Sequence, residues 1–126
     1  MKIARTAVAV LLLASAAVTA RAGRTNYFET TVDMAAGVAL GSFVDTRRTA
    51  DLVQYISCSV AARAGDAPTV TCLARSTTAG PLSCSSSRPE LVAVAQALTD
   101  QGYVRFECDG NDLDYLYISK GSLWLP

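Results

Sequence analysis

VQYISCSV, the sequence at residues 53–60, decides which fold the chain is expected to adopt. Leu52, Ile56 and Val60 recur every four residues, which is typical of a helix. The stretch is also rich in β-branched and aromatic residues, and the same three residues share one face of a strand with Cys58. The composition therefore favours a strand from Leu52 to Val60, with a helix as the alternative.

Two turns after this strand set the register of a three-stranded meander. If the chain folds back about Gly65, Cys58 lies opposite Cys72, and a second turn about Thr78 places Cys72 opposite Cys84. Neighbouring strands lie about 4.8 Å apart, which is within the Cα separation that a disulfide spans. The meander therefore predicts a row of three cysteines across adjacent strands.

Two disulfide pairings stay open, because Cys72 can bond either neighbour and Cys108 takes what is left. They are Cys58–Cys72 with Cys84–Cys108, or Cys72–Cys84 with Cys58–Cys108. A Cys58–Cys84 bond would have to bridge two strand spacings and is disfavoured. The spacings also lack the close cysteine pairs of structural zinc sites, so we expect disulfides.

The start of the chain has the pattern of a cleavable secretory signal. Residues 1–5 are basic, residues 6–18 are apolar, and Ala20 and Ala22 are small residues at the positions that a signal peptidase requires. The apolar stretch is shorter than the roughly 20 residues that a membrane helix needs. We therefore expect a signal peptide at residues 1–22 and export to the periplasm or the extracellular medium.

Residues 23–126 are then expected to form a single disulfide-containing domain with no membrane span. Cleavage lowers the count of lysine and arginine from 11 to 8, while aspartate and glutamate stay at 11, so the net charge becomes about −3. A weakly acidic domain has no electrostatic basis for binding nucleic acid. The chain also contains no histidine, which excludes the usual Ser-His-Asp and Cys-His catalysis. No motif indicates a cofactor.

One helix is predicted near residues 88–101. Ser87 and Glu90 have the spacing of a capping box, and Gly102 is placed to end the helix. Its apolar residues recur at helical spacing and are expected to pack on the sheet. The predicted fold class is α+β, with an antiparallel sheet of about five to six strands, one packed helix and stabilising disulfides.

The last two strands are predicted as a hairpin, Tyr103 to Cys108 and Leu113 to Ser119. A two-residue Gly110-Asn111 turn would set Glu107 opposite Asp114, which are like charges. An odd-length loop instead pairs Val104 with Ile118 and Phe106 with Leu116. With the odd loop, one face of the hairpin is apolar. The register of paired strands is set by the pairing that buries one apolar face. We therefore expect the odd loop.

In this register the other face of the hairpin carries tyrosine and arginine, which are enriched at binding hot spots. The candidate binding residues are Tyr103, Arg105, Tyr115 and Tyr117, with Trp124 near their edge. The alternative is that the helix covers this face, or that the tyrosines only border the core.

An acidic cluster lies in the turn of the same hairpin, at Asp109, Asn111, Asp112 and Asp114. These residue types suit a tight turn, which is the favoured interpretation. The alternative is a weak calcium site, although the cluster lacks the ligand order of an EF-hand.

These features predict a small exported domain without enzymatic activity that binds a protein or envelope partner or has a structural role in the envelope. One alternative is an inhibitor of a secreted enzyme, with the loop at residues 61–66 and its Arg63 as the candidate reactive segment. A second alternative is a hydrolase that works through two carboxylates, which would require a cleft holding two close acids.

Overall fold

The computed structural model describes residues 27–121, which form one seven-stranded, mostly antiparallel sheet with two short helices. The sheet order is β1-β2-β6-β7-β5-β4-β3, and the one parallel contact is between β5 and β7. The α+β class and the antiparallel sheet with a packed helix are thus confirmed, with one or two strands more than predicted. The elements are β1 Thr31–Asp33, β2 Val38–Ser42, α1 Phe43–Arg48, β3 Tyr55–Ala61, β4 Thr69–Arg75, β5 Leu82–Ser86, α2 Pro89–Gln96, β6 Tyr103–Asp109 and β7 Asp112–Ser119.

The sheet curls, so that β1 and β2 at one end approach β4 and β3 at the other without hydrogen bonding to them. The core lies inside this curl, around the fully buried Phe106, Leu113, Val70 and Val104. Helix α2 packs against the same inward face, along β7, β3 and β4. The opposite face of the sheet is the more exposed one along β3, β6 and β7.

The meander β3-β4-β5 has the predicted register. Cys58 pairs with Cys72 and Cys72 with Cys84, as derived from the two turns. The first strand begins at Tyr55 rather than Leu52, because Asp51 accepts hydrogen bonds from the backbone of Val53 and Gln54 and holds residues 51–54 in a turn. The choice of strand over helix for this segment is confirmed.

The structure joins Cys58 to Cys72 and Cys84 to Cys108, so all four cysteines are paired. This is the first of the two pairings that the meander left open. Cys58–Cys72 links directly opposed residues of β3 and β4, whereas Cys84–Cys108 links β5 to β6 across the end of β7. Two disulfides are typical of an oxidising, extracytoplasmic compartment.

Helix α1 was not predicted, because residues 38–44 have the composition of a strand and residues 45–48 that of a polar turn. The Ser42 side chain accepts a hydrogen bond from the backbone of Asp45 and caps the helix. Val44 is buried, and the Asp45 carboxylate accepts from the backbone of Phe28 at 2.9 Å. Capping and these tertiary contacts outweigh the strand preference of the sequence.

The predicted capping box of the second helix is wrong. Arg88 occupies the cap position without a side-chain capping bond, while the Ser87 hydroxyl lies 3.0 Å from that of Thr69 on β4. Helix α2 also ends at Gln96 instead of near residue 101. Single turns lead from there to Gly102, closed by backbone hydrogen bonds from Leu98 to Ala95 and from Gly102 to Thr99. Its apolar stripe does pack on the sheet as expected.

The closing hairpin combines both registers that the sequence allowed. Val104 pairs with Ile118 and Phe106 with Leu116, as predicted, but the turn itself is a two-residue Gly110-Asn111 turn. Asp114 is an extra residue that shifts the register by one between the turn and the rest of the hairpin. The predicted odd-length loop is therefore wrong. The loop has two residues, and a β-bulge at Asp114 provides the one-residue shift instead.

The predicted signal peptide at residues 1–22 and the candidate residue Trp124 lie outside the described residues. Within residues 27–121, neither helix is long and apolar enough to cross a membrane.

Candidate binding surface

The outward side of β6 and β7 carries Tyr103, Arg105, Tyr115 and Tyr117, which together are called the tyrosine face. Their strand neighbours Val104, Phe106 and Leu116 point inward and are buried, so strand alternation puts these four side chains on the outside. Arg105 lies directly opposite Tyr117. Tyr115 and Tyr117 are 44% and 45% exposed. Helix α2 packs on the other side and does not cover them.

Three aromatic rings form a chain of edge-to-face contacts at one end of this face. The ring centroid of Tyr103 lies 5.6 Å from that of Phe28 and 6.3 Å from that of Tyr117, at interplanar angles of 70°. Such contacts stabilise ring orientation beyond simple burial. Burial raises the pKa of Tyr103 above its usual value.

The charges on the tyrosine face are already paired. The Arg105 guanidinium lies 2.6 Å from the carboxylate of Glu107, two residues further along β6. Glu107 in turn lies opposite Tyr115. The face therefore presents aromatic surface bordered by one neutralised ion pair.

The acidic turn, which comprises residues 109–114 with Asp109, Asp112 and Asp114, borders the tyrosine face. Asp109 and Asp112 face each other as the last pair before the turn. Arg88 reaches across from the start of α2, 3.4 Å from Asp112 and 3.2 Å from Asp114, and its guanidinium also donates to the backbone carbonyl of Leu113. Two of the candidate calcium ligands thus bind an arginine. Across residues 27–121, no three histidine, cysteine, aspartate or glutamate side chains are grouped to hold a metal ion.

The acidic turn is held rigidly from behind. Cys108 is joined to Cys84, and its backbone amide donates to the carbonyl of Gly37 at 2.8 Å. Gly37 has a φ of +67°, and a Cβ atom there would lie 2.4 Å from the carbonyl oxygen of Cys108. The turn at residues 34–37 therefore packs closely on β6 only because this residue is glycine.

A second surface feature, which the sequence did not indicate, is a cleft of about 220 Å³ between α1 and the start of β3. Its lining residues are Phe43, Thr46, Arg47, Gln54, Tyr55 and Ile56. They come from two segments that lie apart in the sequence, α1 and residues 54–56. No sequence pattern linked the two segments.

Two carboxylates lie close together beside this cleft. The Gln54 side-chain nitrogen donates to Asp51 at 2.7 Å and to Glu29 at 3.2 Å. The backbone amides of Gln54 and Val53 also donate to Asp51, and these hydrogen bonds lower its pKa to about 2. A carboxylate held ionised by turn hydrogen bonds has a structural role, and neither acid lines the cleft.

The loop at residues 61–66, the candidate inhibitory segment, is fully exposed at the end of the β3–β4 hairpin. The backbone amide of Asp66 donates to the carbonyl of Arg63 at 3.0 Å, and Gly65 has a φ of +87°. Arg63 therefore begins a tight turn.

Comparison of the chain with protein-family models, with curated proteins and with solved structures found no match.

Proposed function

We propose that the chain is an exported binding domain without enzymatic activity, and that it contacts its partner through the tyrosine face. The observation that carries the proposal is the exposure of Tyr115 and Tyr117, 44% and 45%, two residues apart on the outward side of β7, whose other side faces the core. Each of these side chains leaves a large part of its surface open to solvent. Its large amphipathic ring is suited to intermolecular contact.

The scaffold favours this role because binding costs less when the surface is already ordered. Cys84–Cys108 fixes β6 to β5 directly behind the acidic turn, and the edge-to-face ring contacts restrain Tyr103 and Tyr117. Few rotamers are then lost when a partner docks. The close carboxylates Asp51 and Glu29 offer less support for a hydrolase, because Asp51 is committed to the turn that precedes β3.

Export is supported by the signal-like sequence at residues 1–22 together with two disulfides. The intact mass of the protein recovered from the periplasm or medium, with and without reduction, tests it. We expect the mass of residues 23–126 less four hydrogens. An uncleaved mass, or four free thiols, would show that the protein is not exported as proposed.

Comparative capture tests the binding surface. The oxidised protein is used as bait against the secreted and envelope fractions of the organism that encodes it, beside a Tyr115→Ser, Tyr117→Ser double variant. Tyr55→Ser is the matched control, because Tyr55 is a strand tyrosine that is 37% exposed on β3, away from the tyrosine face. We expect a partner that the wild type and Tyr55→Ser retain and the double variant loses.

Equal capture by all three proteins would contradict the proposed surface. Loss of capture on Arg63→Ala, with the double variant unaffected, would instead support the alternative role as an inhibitor of a secreted enzyme.

A further inference from the structure

We propose that the partner of the tyrosine face presents a basic, extended segment whose lysine or arginine side chains lie between the tyrosines and the acidic turn. This inference rests on the proposed function, since it names the chemistry of the partner that the same face would bind. It follows from how charge is distributed around the face and from the spacing of the strands.

The end of the sheet that carries the acidic turn has a clear excess of negative charge. Register places Asp33 of β1 in line with Glu107 of β6, through Val38 of β2. The carboxylates at the acidic turn and along the strands next to it are Asp33, Glu107, Asp109, Asp112 and Asp114, and the cations that pair with members of this group are Arg88 and Arg105. Five carboxylates against two guanidinium groups account for an excess of three negative charges, which equals the net charge expected for residues 23–126.

Both arginines are already committed within the molecule. Arg105 is paired with Glu107, and Arg88 binds two carboxylates and the Leu113 carbonyl. Asp109, in contrast, has no ion-pair partner in the part of the chain that the structure describes. The potential that a docking partner meets next to the tyrosines is therefore negative, which attracts basic groups and repels acidic ones.

The geometry suits side chains that alternate along an extended segment. From Asp109 to Arg105 the strand rises about 13 Å, and outward positions recur about every 7 Å. One cation above the Tyr115 ring would lie next to the carboxylate of Glu107, and a second, two residues along, would lie at Asp109 and Asp112. The attraction of a cation to a tyrosine ring adds to its attraction to a nearby carboxylate.

The direct opposition of Asp109 and Asp112 fits this inference. Like charges directly opposed across two strands destabilise a hairpin, and Asp109 has no ion pair within residues 27–121 to offset this cost. A local arrangement that disfavours folding is expected where a surface serves binding. A cation from the partner would relieve the repulsion.

The test is a titration of the ¹⁵N-labelled, oxidised protein followed by NMR. The probe is a capped peptide of alternating lysine and threonine with three lysines, and the control probe replaces each lysine with glutamate. We expect the lysine peptide to shift the amide signals of Glu107, Asp109 and Tyr115, and the glutamate peptide to leave them unchanged. We also expect the affinity for the lysine peptide to fall at least about threefold between 50 and 200 mM salt.

A pair of variants separates a local effect from net charge. Asp109→Asn is expected to weaken binding of the lysine peptide about three- to tenfold. Asp100→Asn removes the same charge from the exposed turn before β6, about 20 Å from Asp109 along the strand, and is expected to change the affinity less than about 1.5-fold, since charges beyond a Debye length are screened.

Equal weakening by both variants, or equal shifts with the glutamate peptide, would overturn the basic-partner inference. If capture of a partner depends on Tyr115 and Tyr117 but not on Asp109, and the lysine peptide causes no shifts, the inference fails while the proposed function stands. If capture is unaffected by either tyrosine, the proposed function fails first.

Discussion

Arg88, at the start of α2, donates a hydrogen bond through its guanidinium to the backbone carbonyl of Leu113 on β7. The bond lies beside the bulge at Asp114, just after the single contact between Ser85 and Asp112 through which β5 pairs with β7. Arg88 thus provides a donor for the Leu113 carbonyl at the end of β5, whose last residue is Ser86. The same side chain ties the acidic turn to the helix.

Replacing Arg88 with alanine is expected to lower the free energy of unfolding by about 1–2 kcal/mol, because the carbonyl of the buried Leu113 loses a charged donor. Asp114→Asn is the control, since it removes only an exposed ion pair and should cost less than about 1 kcal/mol. Urea unfolding measures both. Equal losses would show that the ion pair, and not the carbonyl contact, carries the effect.

Gly37→Ala is expected to destabilise the protein by about 2–4 kcal/mol. The alanine would have to keep a left-handed φ, and its Cβ would clash with the carbonyl oxygen of Cys108. Gly110→Ala is the matched control. Gly110 has a φ of +59° but open space around it, so only the conformational cost of about 1 kcal/mol applies. Thermal unfolding of the two variants at the same rate compares them, and similar midpoints would contradict the close packing of residues 34–37 on β6.

Asp109→Asn is expected to raise the free energy of unfolding by about 0.2–1 kcal/mol, because it removes the like-charge pair with Asp112. The gain should shrink as salt is added, since screening weakens the repulsion that the substitution removes. Urea unfolding at 20 and 500 mM salt provides the measurement. A destabilised variant would mean that Asp109 makes a favourable contact in the folded state.

Stability in acid is expected to depend on Asp51, whose pKa of about 2 lies below its ordinary value of 3.8. The hydrogen bonds from Gln54 and Val53 favour the ionised form, so their contribution is fully present above about pH 4 and is lost as the pH falls through 2. A ¹³C NMR titration of the Asp51 carboxyl carbon measures this directly. A midpoint near 3.8 would contradict it, and Asp51→Asn should remove this part of the acid dependence.

The meander and the tyrosine face could be derived from the sequence because both depend on short-range patterns. The spacing of Cys58, Cys72 and Cys84 sets one register, and alternation along β6 and β7 determines which side chains share a face. Neither inference required knowledge of how distant segments pack. The order of the strands across the whole sheet did require that knowledge.

The missed features are those that distant contacts decide. Helix α1 has few strong helix formers and depends on the Ser42 cap and on the bond between Phe28 and Asp45. The bulge at Asp114 is held by Arg88, 26 residues earlier in the chain. The expected capping box failed because Thr69 competes for the Ser87 hydroxyl. None of these partners is visible in a local window of sequence.

Site-specific photo-crosslinking in living cells tests whether the tyrosine face contacts a partner after export. A benzophenone amino acid is placed at position 117 in one strain and, as the control, at position 55 on β3 in another. We expect a light-dependent adduct of discrete mass from position 117 that is absent from position 55. An adduct from position 55 alone, or no adduct from position 117 in cells that export the protein, would contradict it.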